Sequence, residues 1–193
     1  MKNKLILDFD GVISDSILSF CTVYNNKYKD NPLFKKADHN KLQRWDCTDE
    51  CPLEKKAEVI FSSKEFFDNL EFMENAKEYV EKLSQSFHII ICSIGTFENI
   101  SHKSLWIRDN MPFIKDTILI TNGDCYMDKS IVNMKDSIFI DDNALNLDSS
   151  NADIKICFGK EFPYNKDWKG SRRVDWESMY NLICEVNIPL EQK

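Results

Sequence analysis

Five short apolar segments recur along this chain, and they constrain its fold more than any other sequence feature. They cover residues 5–9, 87–92, 117–120, 137–140 and 154–158. Apolar runs of about four to eight residues, bounded by turn residues, are typical of strands buried on both faces of a parallel sheet. We therefore predict five buried strands at these positions.

Helical patterns fill most of the intervals between these segments. The i, i+3, i+4, i+7 spacing of an amphipathic helix occurs over residues 76–83 and again over residues 176–183, where Asp175 is the expected N-cap. Residues 97–109 predict a third helix, which ends before Pro112. Because strands that alternate with helices require right-handed crossovers, we predict an α/β fold with a parallel sheet.

Residues 14–70 interrupt this alternation, since they contain no convincing buried strand. Two helical stripes lie there instead: Ile17, Cys21, Tyr24 and Tyr28 form the first, and Leu53, Ala57 and Ile60 form the second. We therefore predict two units. Residues 1–13 and 71–193 form an α/β core, and residues 14–70 form a small helical cap inserted after the first strand.

The composition excludes several classes of protein. The chain has 193 residues, of which 42% are hydrophobic, and this suffices for the core of one domain with an insertion. A formal net charge of −7 does not fit a protein that binds a nucleic acid polymer or an anionic membrane. The seven cysteines are odd in number and scattered, which favours reduced thiols and a cytoplasmic location.

The first chemically suggestive motif is Asp8-Phe9-Asp10-Gly11, at the end of the first predicted strand. Side chains alternate in an extended chain, so the two carboxylates point the same way, and Gly11 allows a sharp turn out of the strand. The carboxyl edge of a parallel sheet is where such folds bind ligands. So short a motif also occurs as two solvated aspartates at a strand end.

A second acidic pair, Asp141-Asp142, directly follows another predicted strand. Carboxylates that meet at one sheet edge repel each other unless a cation lies between them, and Mg²⁺ is typically held by one or two carboxylates plus substrate phosphate. An Asx-rich turn that starts a helix would explain Asp142, but it would not explain acidic residues at two strand ends. The sequence therefore favours a Mg²⁺ site at this edge.

Two further residues suit a phosphorylated ligand. Ser93 lies just past the second predicted strand, where a hydroxyl and free backbone N–H groups bind phosphate oxygens. Lys129 precedes the acidic strand and could neutralise phosphate charge. Alone, each has an ordinary explanation, as a turn serine and a solvated lysine.

The order of these features resembles that of the haloacid dehalogenase superfamily of phosphotransferases over essentially the whole chain. The resemblance implies a Rossmann-like core, with Asp8 as the nucleophile and Asp10 as the general acid and base. It also implies that Ser93 and Lys129 hold the phosphate.

The same resemblance implies a bound Mg²⁺. Asp8, the carbonyl of Asp10 and Asp142 would be its ligands, with Asp141 beside them as the less direct candidate. Asn146 stands where the superfamily usually has a second acid.

A narrower resemblance points to the 5′(3′)-deoxyribonucleotidases. Residues 60–71 are similar to a segment of those enzymes, as is the region that contains Trp168, Arg172, Arg173 and Trp176. The resemblance implies release of phosphate from nucleoside or deoxynucleoside monophosphates, with no nucleic acid polymer and no membrane as partner. A phosphatase for another small metabolite and a catalytically silent binding module are the alternatives. A homodimer is left open.

Phe61 is the candidate for binding the nucleobase. It lies about 100° around the helix from the stripe that ends at Ile60, so its ring could face the cleft above Asp8. Packing inside the cap is an equally good explanation from composition, and the resemblance to the deoxyribonucleotidases favours base stacking.

Overall fold

The computed structural model describes residues 3–122 and 128–186. Its strands are β1 (Asn3–Leu7), β2 (Phe87–Gly95), β3 (Asp116–Thr121), β4 (Ser137–Asp141), β5 (Ile154–Phe158) and β6 (Ser171–Arg173). Its helices are α1 (Ser16–Tyr28), α2 (Ala57–Phe61), α3 (Lys64–Asp68), α4 (Ala76–Ser84), α5 (Phe97–Asn110), α6 (Ala144–Ser149) and α7 (Trp176–Glu185).

The six strands form one parallel sheet in the order β3-β2-β1-β4-β5-β6. This confirms the predicted α/β class, and each of the five predicted strands occurs close to its expected position. The sequence pattern does not predict β6, because this three-residue edge strand is polar.

Strand β1 lies at the centre of the sheet, between β2 and β4. Leu7, its last residue, pairs with Ile91 on one side and with Ile140 on the other. The strand order reverses here, and parallel α/β sheets bind their ligands at such switch points. The carboxyl ends of β1, β2 and β4 therefore share one edge of the sheet. The prediction that Ser93 lies just past the second strand is wrong, because β2 continues to Gly95 and pairs Ser93 with Leu119 of β3.

Side-chain caps fix where the principal helices begin. Asp15 accepts a hydrogen bond of 3.0 Å from the N–H of Leu18 in α1, and Asp175 accepts one of 2.8 Å from Ser178 in α7, as predicted. Such caps satisfy backbone donors that the first helical turn leaves unpaired.

Residues 14–70, all of which the structure describes, contribute three helices and no strand. The second predicted helical stripe is partly wrong, because α2 begins only at Ala57. Leu53 lies in a turn, where its N–H donates to the Tyr24 hydroxyl over 3.4 Å. The chain forms a turn here instead, closed by a 3.1 Å hydrogen bond from the Glu54 N–H to the Cys51 carbonyl, so the periodic spacing does not continue as a helix.

Among the residues described, no helix is both long enough and apolar enough to cross a lipid bilayer.

Candidate active site

Three carboxylates converge at the carboxyl edge of the sheet. Asp8 follows β1, Asp141 ends β4, and Asp142 begins the next turn. The N–H of Asp8 donates to the Ile140 carbonyl over 2.8 Å, which extends the pairing of the two strands. One oxygen from each carboxylate lies within 4.8 Å of the other two, close enough to share one metal ion.

Lys129 forms ion pairs with two of these carboxylates. Its side chain is 1% exposed, and its Nζ lies 2.6 Å from Asp8 Oδ1 and 2.6 Å from Asp141 Oδ2. Burial alone would lower the pKa of Lys129, but the charges of Asp141 and Asp8 outweigh it and raise that pKa above its usual value. Lys129 is therefore a fixed ammonium group that faces the site.

Asp141 is fully buried, and both of its oxygens are occupied. Besides Lys129, it accepts from the N–H of Asn143 over 2.8 Å and from the Asn146 side-chain amide over 3.1 and 3.2 Å. Asn146, the departure from the usual acid, therefore donates to Asp141 where a carboxylate could only accept. These bonds suit Asp141 for holding Lys129 in place.

Asp142 is more exposed than Asp141, and residues of the 164–165 loop hold it in place. Tyr164 donates its hydroxyl to Asp142 Oδ2 over 3.1 Å, and the Asn165 amide donates to the backbone carbonyl of Asp142 over 2.9 Å. Arg172 in turn donates to the Asn165 carbonyl over 2.7 Å. Arg172 therefore contacts Asn165, which in turn contacts Asp142.

Gly11 allows Asp142 to approach the first motif. Its φ is +71°, and a Cβ at this position would lie 2.8 Å from Asp142 Oδ2. A side chain here would be strained by its backbone conformation and would also press on the carboxylate.

The three carboxylates repel one another in this arrangement. Burial raises the pKa of Asp8 to about 7, reinforced by Asp141 and Asp10 and opposed by Lys129. Burial, with the charges of Asp141 and Asp8, also raises the pKa of Asp142 well above its usual value. Both shifts show that the ionised forms of Asp8 and Asp142 are disfavoured in this site without a further cation.

Asp10 and Ser93 both contact Lys103, a lysine that is not among the predicted site residues. Lys103 Nζ donates to Asp10 Oδ2 and, over 2.8 Å, to Ser93 Oγ. Ser16 donates to Asp10 Oδ1 over 2.6 Å. The structure thus brings two of the predicted residues together through Lys103.

A sequence signal for Lys103 does exist. Asn99, Lys103, Trp106 and Ile107 form the buried face of α5, so Lys103 occupies a position that an apolar residue would normally take. A lysine in the apolar stripe of a helix is a candidate for an internal ion pair.

Phe61, the predicted base-binding residue, lies among aromatic residues of α1 and α3. Its ring is half-buried, 4.8 Å from the ring of Phe20 and 5.3 Å from the ring of Phe66. Its carbonyl accepts a 2.7 Å hydrogen bond from the Asn99 side chain on α5. The role of Phe61 in base binding stays a prediction.

Sequence comparison decides the family. Residues 2–188 match the model of the family described as 5′ nucleotidase, deoxy (pyrimidine), cytosolic type C protein. The chain belongs to this nucleotidase family. A 5′(3′)-deoxyribonucleotidase of Clostridium acetobutylicum is 30% identical over 188 residues, which cover 95% of this chain and 96% of that protein. The predicted resemblance and the prediction of a phosphatase enzyme are confirmed.

Solved structures confirm the haloacid dehalogenase fold for this nucleotidase family member. A C. acetobutylicum protein described as a predicted phosphatase superimposes with a TM-score of 0.67 at 13% identity, over 96% of this chain and 100% of that one. A haloacid dehalogenase hydrolase of Bacillus subtilis, bound to magnesium, gives a TM-score of 0.60 at 15% identity, over 95% and 99% of the two chains.

Proposed function

We propose that this protein is a Mg²⁺-dependent phosphomonoesterase that acts on nucleoside or deoxynucleoside monophosphates through an aspartyl-phosphate. The observation that carries the proposal is the setting of Asp8. Its carboxylate lies at the switch point of the sheet, with Lys129 on one oxygen and Asp10 close by. A nucleophile, a cation and a second carboxyl group are the minimum set for phosphoryl transfer to a side chain.

The donor set fits Mg²⁺. Asp8 and Asp142 would supply carboxylate oxygens and Asp10 its backbone carbonyl, all of them hard oxygen ligands. Burial, together with the charges of neighbouring carboxylates, raises the pKa values of Asp8 and Asp142, and a bound divalent cation would favour their ionised forms. When bound, the ion would offset negative charge on the phosphoryl oxygens.

The protein's own groups account for both half-reactions. Asp8 attacks phosphorus, the bond to the ester oxygen breaks, and its electron pair stays on the leaving oxygen, to which Asp10 gives a proton. Asp10 then takes a proton from the water that attacks the phosphorus and releases Asp8. Lys129 and Ser93 bind the phosphoryl oxygens, where electrostatic stabilisation contributes most to such transfers.

The proposed substrate class is supported by the family description and by the name of the clostridial relative. The family description also supports a cytoplasmic location. The test is a panel of phosphomonoesters, including nucleotides, sugar phosphates and 4-nitrophenyl phosphate, assayed with and without MgCl₂. Preference for nucleotides supports the proposal. Preference for another metabolite refutes the substrate class, and no turnover on any ester favours a silent binding module.

Mg²⁺ should stabilise the protein more at high pH than at low pH. A folded-state pKa of about 7 for Asp8, above its unfolded value of 3.8, means that this group stabilises the metal-free fold below about pH 4. That contribution is lost as the pH rises through about 7. Mg²⁺ binds the ionised carboxylates, so protons compete with it at low pH. We expect the rise in Tm on adding MgCl₂ to be at least about 2 °C larger at about pH 8 than at about pH 5.5.

Two variants check this assignment. Asp142→Asn should abolish most of the MgCl₂-dependent shift, whereas Asp148→Asn on the exposed side of α6 should retain it. An equal shift at both pH values would contradict the carboxylate site.

Phe61→Ala should raise KM for nucleoside monophosphates while leaving KM for 4-nitrophenyl phosphate within about twofold, because stacking contributes ~1–3 kcal/mol per base in single-strand binders. Phe66→Ala is the matched control, since Phe66 is fully buried beside it and contributes packing alone. Steady-state kinetics and melting curves separate the two roles. If Phe61→Ala behaves like Phe66→Ala, with lower Tm and equal effects on both esters, Phe61 is a core residue.

A further inference from the structure

Lys103 is a buried lysine at the edge of the site, and neither Mg²⁺ binding nor the nucleophilic step requires it. Its side chain is 1% exposed. Burying an ammonium group is strongly unfavourable unless an opposite charge and hydrogen bonds compensate. Such a residue in the apolar face of α5 therefore has a specific partner, and that partner is Asp10.

The contacts of Lys103 are directional. Its Nζ donates to Asp10 Oδ2, to Ser93 Oγ over 2.8 Å and to the Ile94 carbonyl over 3.4 Å. An ammonium group has three donors, and all three are used. The aromatic ring of Phe9 lies 5.4 Å from Nζ and further confines it. Lys103 is therefore anchored by β2 and directed at Asp10.

Asp10 is held at both oxygens. Lys103 binds Oδ2, and Ser16 donates to Oδ1 over 2.6 Å, with Ser14 Oγ a further 2.9 Å from the Ser16 hydroxyl. The Asp10 side chain is still 34% exposed, so it is open to a ligand on its free side. Without Lys103, one of its two anchors would be lost.

The two buried lysines have separate partners. Lys129 binds Asp8 and Asp141, whereas Lys103 binds Asp10 and the Ser93 hydroxyl. This division separates the group that would attack phosphorus from the group that would transfer the proton. Lys103 contacts Asp10, the group that would transfer the proton, and its hydrogen bonds go to Asp10, Ser93 and Ile94 rather than to Asp8, the group that would attack phosphorus.

We infer that Lys103 is a positioning residue that fixes the orientation of the Asp10 carboxyl group for proton transfer to the leaving oxygen. The inference rests on the proposed function, in which Asp10 is the general acid. Proton transfer needs donor and acceptor within hydrogen-bond reach, and small losses of orientation cost large factors in rate. Lys103 would then matter most for substrates whose leaving group needs a proton.

The test compares two leaving groups in a single turnover, with enzyme in excess. A deoxynucleoside 5′-monophosphate expels a poor alkoxide leaving group, whereas 4-nitrophenyl phosphate expels a stable phenolate that needs little help. We expect Lys103→Met to slow release of the nucleoside at least about tenfold and release of 4-nitrophenolate less than about threefold. The ratio of the two rates does not depend on how much of the variant folds, and Lys103→Gln provides a second variant for the same comparison.

Three controls define the outcome. Lys115→Met, at an exposed lysine beyond α5, should leave both rates unchanged. In an Asp10→Asn background, adding Lys103→Met should lower the rate of nucleoside release by less than a further factor of about two. The reason is that the effects of residues that act as a unit are not additive. Inhibition by inorganic phosphate should change little.

Other results overturn the inference. An equal loss on both esters, or a loss of phosphate inhibition, would make Lys103 a phosphate-binding residue, and unchanged rates would make it structural. If the wild-type protein hydrolyses neither ester, the proposed function fails first. If it hydrolyses both and the variant ratio is unchanged, only the role of Lys103 fails.

Discussion

Asp8→Asn is expected to lower phosphomonoesterase activity by at least about 10⁴-fold while the protein stays folded. An amide cannot form the acyl phosphate. The two-step route is therefore lost for every substrate, whether its leaving group is good or poor. The fold should tolerate the change, because ionised Asp8 is opposed by its surroundings, as its raised pKa of about 7 shows. At about pH 8 the variant should melt at or above the wild-type temperature.

Steady-state assays on a nucleotide and on 4-nitrophenyl phosphate, together with melting curves, measure both parts of this expectation. Asp68→Asn is the matched control, since Asp68 forms an exposed ion pair with Lys64 on the cap surface. Such a pair contributes little to stability, so the control should retain activity and Tm. Acid-quenched wild-type enzyme should carry phosphate on Asp8, and Asp8→Asn should carry none. Turnover near the wild-type level in Asp8→Asn would exclude the covalent mechanism.

Lys129→Ala is expected to reduce kcat/KM by about 10²–10³-fold, since the lost cation faces the developing charge of the transition state. The same substitution should also destabilise the fold. Asp141 is 0% exposed, and the substitution would remove the cation that its carboxyl group contacts. Removing one member of a buried ion pair typically costs about 3–5 kcal/mol.

A double variant separates these two effects. In Lys129→Met with Asp141→Asn, the buried charge and its partner are removed together, so stability should recover toward that of the wild type. Activity should not recover, because the phosphate-binding cation is still missing. Chemical denaturation and initial-rate assays give the two readouts. A double variant that regains both would show that Lys129 serves the fold alone.

Much of the fold followed from local sequence patterns. Apolar runs are set by burial on both faces of a strand, so the five predicted strands could be located without tertiary information. The closeness of Asp8 and Asp142 could also be predicted, because each lies at the end of a parallel strand and these strands end at the same edge of the sheet. The prediction of a helix from Leu53 was wrong, since a periodic spacing does not record the turn that residues 51–55 adopt.

The contacts between residues of the site were harder to predict from the sequence. Lys103 meets Asp10 across 93 residues, and this contact depends on how α5 packs against the sheet. Tyr164 and Asn165 reach Asp142 from a loop with no periodic pattern. Adjacent residues Asp141 and Asp142 have different surroundings, one fully buried and one partly open, because they lie on either side of the end of β4. Such differences come from the packed structure and not from residue type.

The long separation between Asp8 and its cation has a consequence for biosynthesis. The Lys129–Asp8 ion pair joins residues 121 positions apart, and β1 acquires its β4 neighbour only after residue 141 has been made. A ribosome-bound chain that has emerged only as far as α5 therefore contains the Asp8 carboxylate without the lysine that neutralises it. Central strands that must wait for a distant partner are exposed to misassembly during that time. Under the proposed mechanism, catalytic competence thus arrives late in synthesis, and we expect no hydrolysis of a phosphate ester by an N-terminal fragment that ends before β4.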